Sequence, residues 1–418
     1  MSIFLSKLYI LKVIKYRNRR MRLVEQHILK SNNKHYKEIN DLCHKSKNLY
    51  NATLYAVRQY FFETNKYLSY NSIDKQFRET NNIDYRSLPT QTSQQTMRVV
   101  DKNFKSFFKL LNLKRNNNYN KKIQIPHYLD KNSTFILVYT AQQLGKKLQL
   151  GIIRLPLTDI EFTTNKRNIK QVRFIPKSNY IVMEIVFDIK EAELKADNSN
   201  YSGIDLGINN LATVTSNTAQ SYIINGKPVK SINQYYNKKK AHLQSQLKNK
   251  KTSNRIQKLT LKRNCKIKDY FHKSTSYIVN QLVSDSINTV VIGQNKDWKQ
   301  DTDMGKRNNQ LFTSISHGMF INMLKYKCRL KGINIICIEE SYTSKSSFLD
   351  NDHIPCLSDK DISFSGKRLK RGLYRSKNGI LINADINGSY NIIRKVVGDV
   401  VLQPTDRGFM FNPIRISF

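Results

Sequence analysis

The chain has 418 residues, with 71 Lys and Arg against 31 Asp and Glu, for a formal net charge of +40. At 39% hydrophobic residues it can bury real cores, which excludes a disordered basic tail, and the length suits two or three domains. So positive a surface repels itself unless a polyanion neutralises it. Nucleic acid fits best, because the charge runs along the whole chain rather than along one amphipathic membrane helix.

The five cysteines (Cys43, Cys265, Cys328, Cys337 and Cys356) are scattered without a C-x-x-C pair, which fits a reducing cytosol rather than a disulfide framework. No run of 18 apolar residues predicts a membrane span. The opening "MSIFLSKLYILKVIKYRNRR" places its basic cluster after its apolar part, the wrong order for a signal peptide.

In chain order, residues 38–61 carry apolar side chains at helical spacing, and a second helix is predicted from residue 90 past residue 111, with Met97, Val100, Phe104, Phe107 and Phe108 on one face. The polar run "KRNNNYNKK" closes this helical segment. A β-rich segment follows. "STFILVY" (133–139) reads as a strand, and "QVRFIPKSNYIVMEIVFDI" (171–189) as a hairpin turning at 176–179. After a polar linker, "YSGIDLGINNLATV" (201–214) reads as strand, turn and strand. Residues 237–268 then hold twelve Lys or Arg and no acid, one sign of charge over about nine helical turns. This predicts a helical hairpin that contacts phosphates, with Lys238, Lys239, Lys240, Lys250, Lys251, Arg255, Lys262 and Arg263 as candidates. "SINTVVIG" (286–293) is a buried strand, 320–332 a helix, 333–340 another strand, and 381–396 enters a helix near Asp385. From residue 201 onward this order is that of an α/β domain.

Asp205 lies in an apolar strand, where a carboxylate costs several kcal/mol unless it is paired or bound to a metal. Asp385 lies between Ile382 and Ile386 at the mouth of a helix, and Glu339 and Glu340 end the strand at 333–338. Acids at strand and helix ends of one α/β domain, in a strongly basic chain, suit hard divalent ions such as magnesium and point to a metal-dependent nuclease. The competing reading is a set of ordinary core and strand-end acids satisfied by nearby bases.

The motifs "GIDLGINNLATV", "HKSTSYIV", "SYTSKSS" and "ADINGSYNI", in this order and spacing, resemble the TnpB (OrfB) family of insertion-sequence transposons, related to the type V CRISPR effectors. "MRLVEQHILK" and "DKNFKSFF" resemble its amino-terminal part, so the resemblance covers roughly residues 21–396. It implies an α/β nuclease domain (RuvC-like, RNase H fold) in the C-terminal half, preceded by a β-barrel wedge domain with an inserted helical recognition domain. The boundaries expected are an extension at 1–20 with the natural start at Met21, wedge at 21–37 and 123–195, helical domain at 38–122, nuclease domain at 201–396 and a tail at 397–418. The implied activity is RNA-guided cleavage of double-stranded DNA. A guide RNA from the transposon end would supply the sequence, two magnesium or manganese ions would serve the chemistry, and no membrane would be involved. The expected location is the cytoplasm, at the nucleoid.

Two departures from the family stand out. The family's first and last catalytic acids fall on Asp205 and Asp385, but its middle Glu belongs where this chain has Gly293 and Gln294. Glu340 or Glu339, on the neighbouring strand, would reach over the small glycine and restore a third carboxylate. Otherwise the chain is a guided DNA-binding protein that does not cut. Relatives also carry a zinc ribbon where this chain keeps only Cys356, so no zinc is expected in the loop 348–379. "GKRLKRGLYRS" in that loop offers Lys367, Arg368 and Arg371 as nucleic-acid contacts.

If the run 237–268 grips phosphates, changing Lys238, Lys239, Lys240 and Arg255 to Glu should weaken binding to all sequences alike. Each lost phosphate contact should lower the slope of log affinity against log salt by about 1. An unchanged slope in a salt titration would count against it.

Overall fold

The computed structural model describes residues 20–247, 252–294, 305, 309–310, 313–356, 359, 362–398 and 412–418. The expected extension at 1–20, all but its last residue, lies outside these, as do Lys250, Lys251 and much of the tail. The chain divides into two compact units, one of Arg20–Lys190 and one holding Glu191–Phe418. Among the described residues no helix is long and apolar enough to cross a membrane.

In the first unit, strand β1 (Arg20–Lys30) leads into helices α1 (Tyr36–Thr64), α2 (Tyr70–Glu79) and α3 (Thr90–Arg115). Leu49, Leu54, Met97, Val100 and Phe104 bury the facing stripes of α1 and α3 in one core with Tyr139 and Phe174 of the sheet. The strands β1, β2 (Leu137–Thr140), β5 (Ile169–Lys177) and β6 (Tyr180–Lys190) form a sheet of order β1-β6-β5-β2. β3 (Ile152–Arg154) and β4 (Glu161–Thr163) form a separate ribbon. Among the described residues the expected barrel is therefore not closed: β1 and the four-residue β2 are the two edges of the larger sheet. The hairpin turn also differs from expectation. Pro176 lies inside β5 opposite Ile181, and Ser178 and Asn179 make the turn. A proline is tolerated there because β2 pairs β5 only as far as Phe174, so Pro176 sits where β5 is an edge.

In the second unit the sheet order is β11-β10-β7-β8-β9-β15, from β7 (Tyr201–Leu206), β8 (Asn210–Ser216), β9 (Tyr222–Asn225), β10 (Thr289–Gly293), β11 (Asn334–Ile338) and β15 (Ile414–Ile416). β7, β8 and β9 run antiparallel, while β10 runs parallel to β7 and β11 parallel to β10. The neighbouring of β10 and β11 is the one the RNase H arrangement requires. β9 and β15, with four and three residues, carry too little periodicity to be read from sequence. The basic run falls on two helices, the end of α4 (Lys227–Ser245) and the first half of α5 (Asn254–Ser284), joined side by side by the Tyr236–Thr260 hydroxyl contact of 3.1 Å. Helix α6 (His317–Arg329) precedes β11.

Helix α7 (Ala384–Val397) packs directly on the sheet. A Cβ on Gly203 would lie 2.3 Å from the Ser389 carbonyl oxygen, so only glycine lets β7 and α7 come this close. Asn387 and Asn391 of α7 bind the loop before it: both side-chain amides donate to the Ser346 carbonyl, Asn391 also to that of Thr343, and Asn387 accepts from the Phe348 N–H. These bonds join "SYTSKSS" and "ADINGSYNI" in the fold. Beyond it, β12 (Lys367–Lys370), β13 (Leu373–Arg375) and β14 (Leu381–Asn383) form an antiparallel sheet. Two carboxylates hold this loop. Asp350 accepts from the Ser347 and Ser365 hydroxyls and the Lys377 N–H, and Asp352 from the Ser347 N–H and from the N–H and hydroxyl of Ser365.

Gly203→Ala should force α7 and β7 apart and destabilise the second unit by about 1–3 kcal/mol. A clear fall in its thermal midpoint checks this, and an unchanged midpoint would contradict the close contact.

Candidate active site

Asp205 sits in β7 opposite Thr213 of β8. Its Oδ2 faces α7, lying 3.3 Å from where a Cβ on Gly388 would stand. Gly388 follows Asp385 by three residues, so both occupy the helix face turned to Asp205. Asp385 is held at the first turn of α7, where the N-cap Asn383 side chain accepts from the N–H groups of Asp385 and Ile386. The Asp385 carboxylate accepts from the Asn210 side-chain amide through Oδ2, and its Oδ1 lies 3.8 Å from the Arg368 guanidinium.

The third acid lies just beyond the end of β11. Gly293 pairs with Ile338 across the β10–β11 ladder, and the Gln294 N–H donates to the Ile338 carbonyl at 2.8 Å. Glu340 follows two residues later. A Cβ on Gly293 would lie 2.7 Å from Glu340 Oε2, 3.2 Å from Glu340 Cβ and 2.6 Å from Ile392 Cδ1. The Glu340 side chain thus lies over the glycine, in the space a larger residue at 293 would need. Glu339 goes elsewhere. It is exposed, its carbonyl accepts from Lys395 Nζ at 3.1 Å, and its carboxylate lies 3.8 Å from the same ammonium.

The electrostatics tie the three acids together. Burial, then the neighbouring Glu340 and Asp385 charges, push the Asp205 carboxyl well above the usual carboxylate range, against the opposing pull of Arg368 and the Leu206 N–H. Burial first and Glu339 second push Glu340 up to about 7, with Lys395 opposing. A buried carboxylate whose ionisation is opposed by neighbouring acids, as Asp205 is, gains from a bound cation, and an all-oxygen donor set suits a hard divalent ion. Among the described residues no three His, Cys, Asp or Glu groups converge tightly enough to chelate one ion.

The basic candidates separate into two kinds. Lys238, Lys239, Arg255, Lys262, Lys367, Arg368 and Arg371 are exposed. Lys240 is half-buried, with its Nζ 5.9 Å from the centre of the Tyr236 ring. Arg263 is taken up inside the unit: its guanidinium donates to Asn233 Oδ1 at 2.8 Å, to the Ser314 carbonyl at 2.9 Å and to Asn264 Oδ1 at 2.9 Å. Such bonds suit a structural clamp better than a phosphate contact. Sequence reasoning missed Asn210 as a partner of Asp385, although it stands inside the opening motif, and the nearness of Arg368 to that acid.

The chain is similar to several known proteins. The OrfB_IS605 family, described as a probable transposase, matches residues 184–299, and the Cas12f1-like TNB domain matches residues 317–392. A TnpB-like protein, ORF457 of Acidianus two-tailed virus, is 20% identical over 440 residues, covering 93% of this chain and 89% of that protein. Among solved structures, a Cas12f1–sgRNA–target DNA complex is 15% identical, covering 88% of this chain and 98% of that one, with a TM-score of 0.36. C2c1 of Alicyclobacillus acidoterrestris in complex with single-guide RNA is 8% identical, covering 87% of this chain and 70% of that one, with a TM-score of 0.40.

Because folding raises the Glu340 pKa to about 7, the stability it contributes is fully present below the ordinary carboxylate range and is lost as pH rises through about 7. In EDTA, Glu340→Gln should therefore gain on the unmutated protein between pH 5 and 8, by about 2 kcal/mol once screening by water is allowed for. Denaturant titrations across that range check it, and a pH-independent difference would contradict it.

Proposed function

Taking kinship with the TnpB (OrfB) proteins as the premise, we propose that this chain is a transposon-associated, RNA-guided DNA endonuclease that hydrolyses phosphodiesters in target DNA. The observation that carries the proposal is the Glu340 carboxylate lying over Gly293, 2.7 Å from the place a Cβ there would take. With Asp205 and Asp385 it makes up the set of three acids that a single chain position had left incomplete. Magnesium or manganese, two ions, would be held by Asp205, Asp385 and Glu340. Glu339 is the lesser candidate because it faces Lys395. When bound, such ions activate water and stabilise the leaving oxygen of a phosphodiester.

The chain's own residues have separate tasks. Asp385 is aimed by Asn210 and Asn383, Arg368 balances charge beside it, and Gly388 leaves Asp205 open on its helix side. The exposed Lys and Arg of α4, α5 and the β12–β13 hairpin would hold phosphates. The partners proposed are a guide RNA from the transposon end and target double-stranded DNA, met in the cytoplasm at the nucleoid. The wedge, helical and nuclease segments keep the boundaries expected above, with an open sheet serving as the wedge. The loop 348–379 is proposed to need no zinc, a view supported by the hydrogen bonds that Asp350 and Asp352 accept from Ser347, Ser365 and Lys377.

Gly293 itself favours the second reading, a guided DNA-binding protein that does not cut. One experiment separates the two. With its co-expressed transposon-end RNA and magnesium, the unmutated protein should cut target DNA, and Asp205→Ala, Asp385→Ala and Glu340→Gln should each lower cleavage by about 100-fold or more while leaving guided binding intact. Glu339→Gln should be mild. Gly293→Glu should recover part of the activity when combined with Glu340→Ala, but not alone. Binding without any cutting by the unmutated protein establishes the second reading.

A further inference from the structure

β15 is an added edge strand, parallel to β9 in the register Ile414↔Tyr222 to Ile416↔Ile224. It is anchored on one side by the Phe418 ring, whose centre lies 6.0 Å from that of Tyr270 and 5.7 Å from that of Tyr277, and by the Ser417 hydroxyl, which accepts from Asn225 at 2.8 Å. Before these anchors in the chain stands Arg415, exposed to solvent, whose guanidinium donates to Asn210 Oδ1 at 2.7 Å. The same Asn210 donates its side-chain NH2 to the Asp385 carboxylate.

A guanidinium can only donate and an ionised carboxylate can only accept, so an amide placed between them has one satisfactory orientation. We propose that Arg415 is a positioning residue that acts through Asn210 to aim Asp385, making the C-terminal strand part of the candidate active site. Without Arg415 the amide keeps only its bond to the carboxylate and loses the contact that fixes its own position, so amide and carboxylate can shift together. Asp385 would then swing away at the mouth of α7, and a displacement of about 1 Å there is enough to cost on the order of 100-fold in rate. The proposal rests on Asp385 being catalytic, and it adds a residue from a segment that no motif covers.

The test uses the full chain with its RNA and three variants. Arg415→Ala should lower cleavage by about 10- to 100-fold with guided DNA binding unchanged. Arg415→Lys, which can still donate, should restore part of the rate. Ser417→Ala, which loses an anchor of β15 but not the contact to Asn210, should cut like the unmutated protein. Hydrogen–deuterium exchange supplies a readout that needs no cleavage: in Arg415→Ala, amides of residues 383–387 should exchange several-fold faster while those of 414–416 keep their protection. Unmutated protein that cuts alongside Arg415→Ala that cuts equally well overturns the proposal, as does unchanged exchange at 383–387. Unmutated protein that never cuts refutes the catalytic reading of Asp385, and the exchange result then decides on Arg415 alone.

Discussion

The second unit depends on a backbone contact, the seat of α7 on β7. Gly203 allows the Ser389 carbonyl to approach where any side chain would collide. From that seat the helix brings Asp385 to the face of the sheet that carries Asp205. It also puts Ile392 against β10 and offers Asn387 and Asn391 to the loop that follows β11. An oil-like core would leave a helix free to slide or roll. Here the Ser389 hydroxyl, which donates to the Thr213 carbonyl and meets the Thr215 hydroxyl at 3.0 Å, fixes its position along the strands as well. The placement of each acid is inherited from this packing, which is why residues with no chemistry of their own matter to the site.

The charge distribution has two scales. Over the whole chain positive charge prevails and favours any phosphate-bearing partner. Within the site the sign reverses: burial and the Glu340 and Asp385 charges make Asp205 costly to ionise, and burial and Glu339 do the same for Glu340. Arg368 reaches this pocket of negative charge from the β12–β13 hairpin and Lys395 from the far end of α7. The acids are thus tempered by bases from two different elements, and the balance depends on how those elements are held.

Much of the second unit was legible because its acids contradict their surroundings. Asp205 in an apolar strand and Asp385 between two isoleucines need an explanation that local propensity does not supply. The pairing of Gly293 with Glu340 could be foreseen because side chains on adjacent parallel strands stand beside one another at predictable spacing. Three features were not legible for physical reasons. Pro176 mimicked a turn because its tolerance depends on how far β2 extends. Arg263 resembled a phosphate contact because charge in a sequence does not show that a carbonyl and two amides await it. β15 is too short to have a period, and Arg415 gains its meaning only from a partner some two hundred positions earlier. Closure of the first sheet into a barrel likewise depends on strand lengths and edges that pattern alone does not set.

The contact between Glu340 and the space above Gly293 also makes the two positions exclusive. Positions 293 and 340 compete for one volume, so a chain with glutamate at both would be overpacked. Glycine at 293 and the long acid at 340 therefore belong to one packing solution, in which neither can be enlarged without the other giving way.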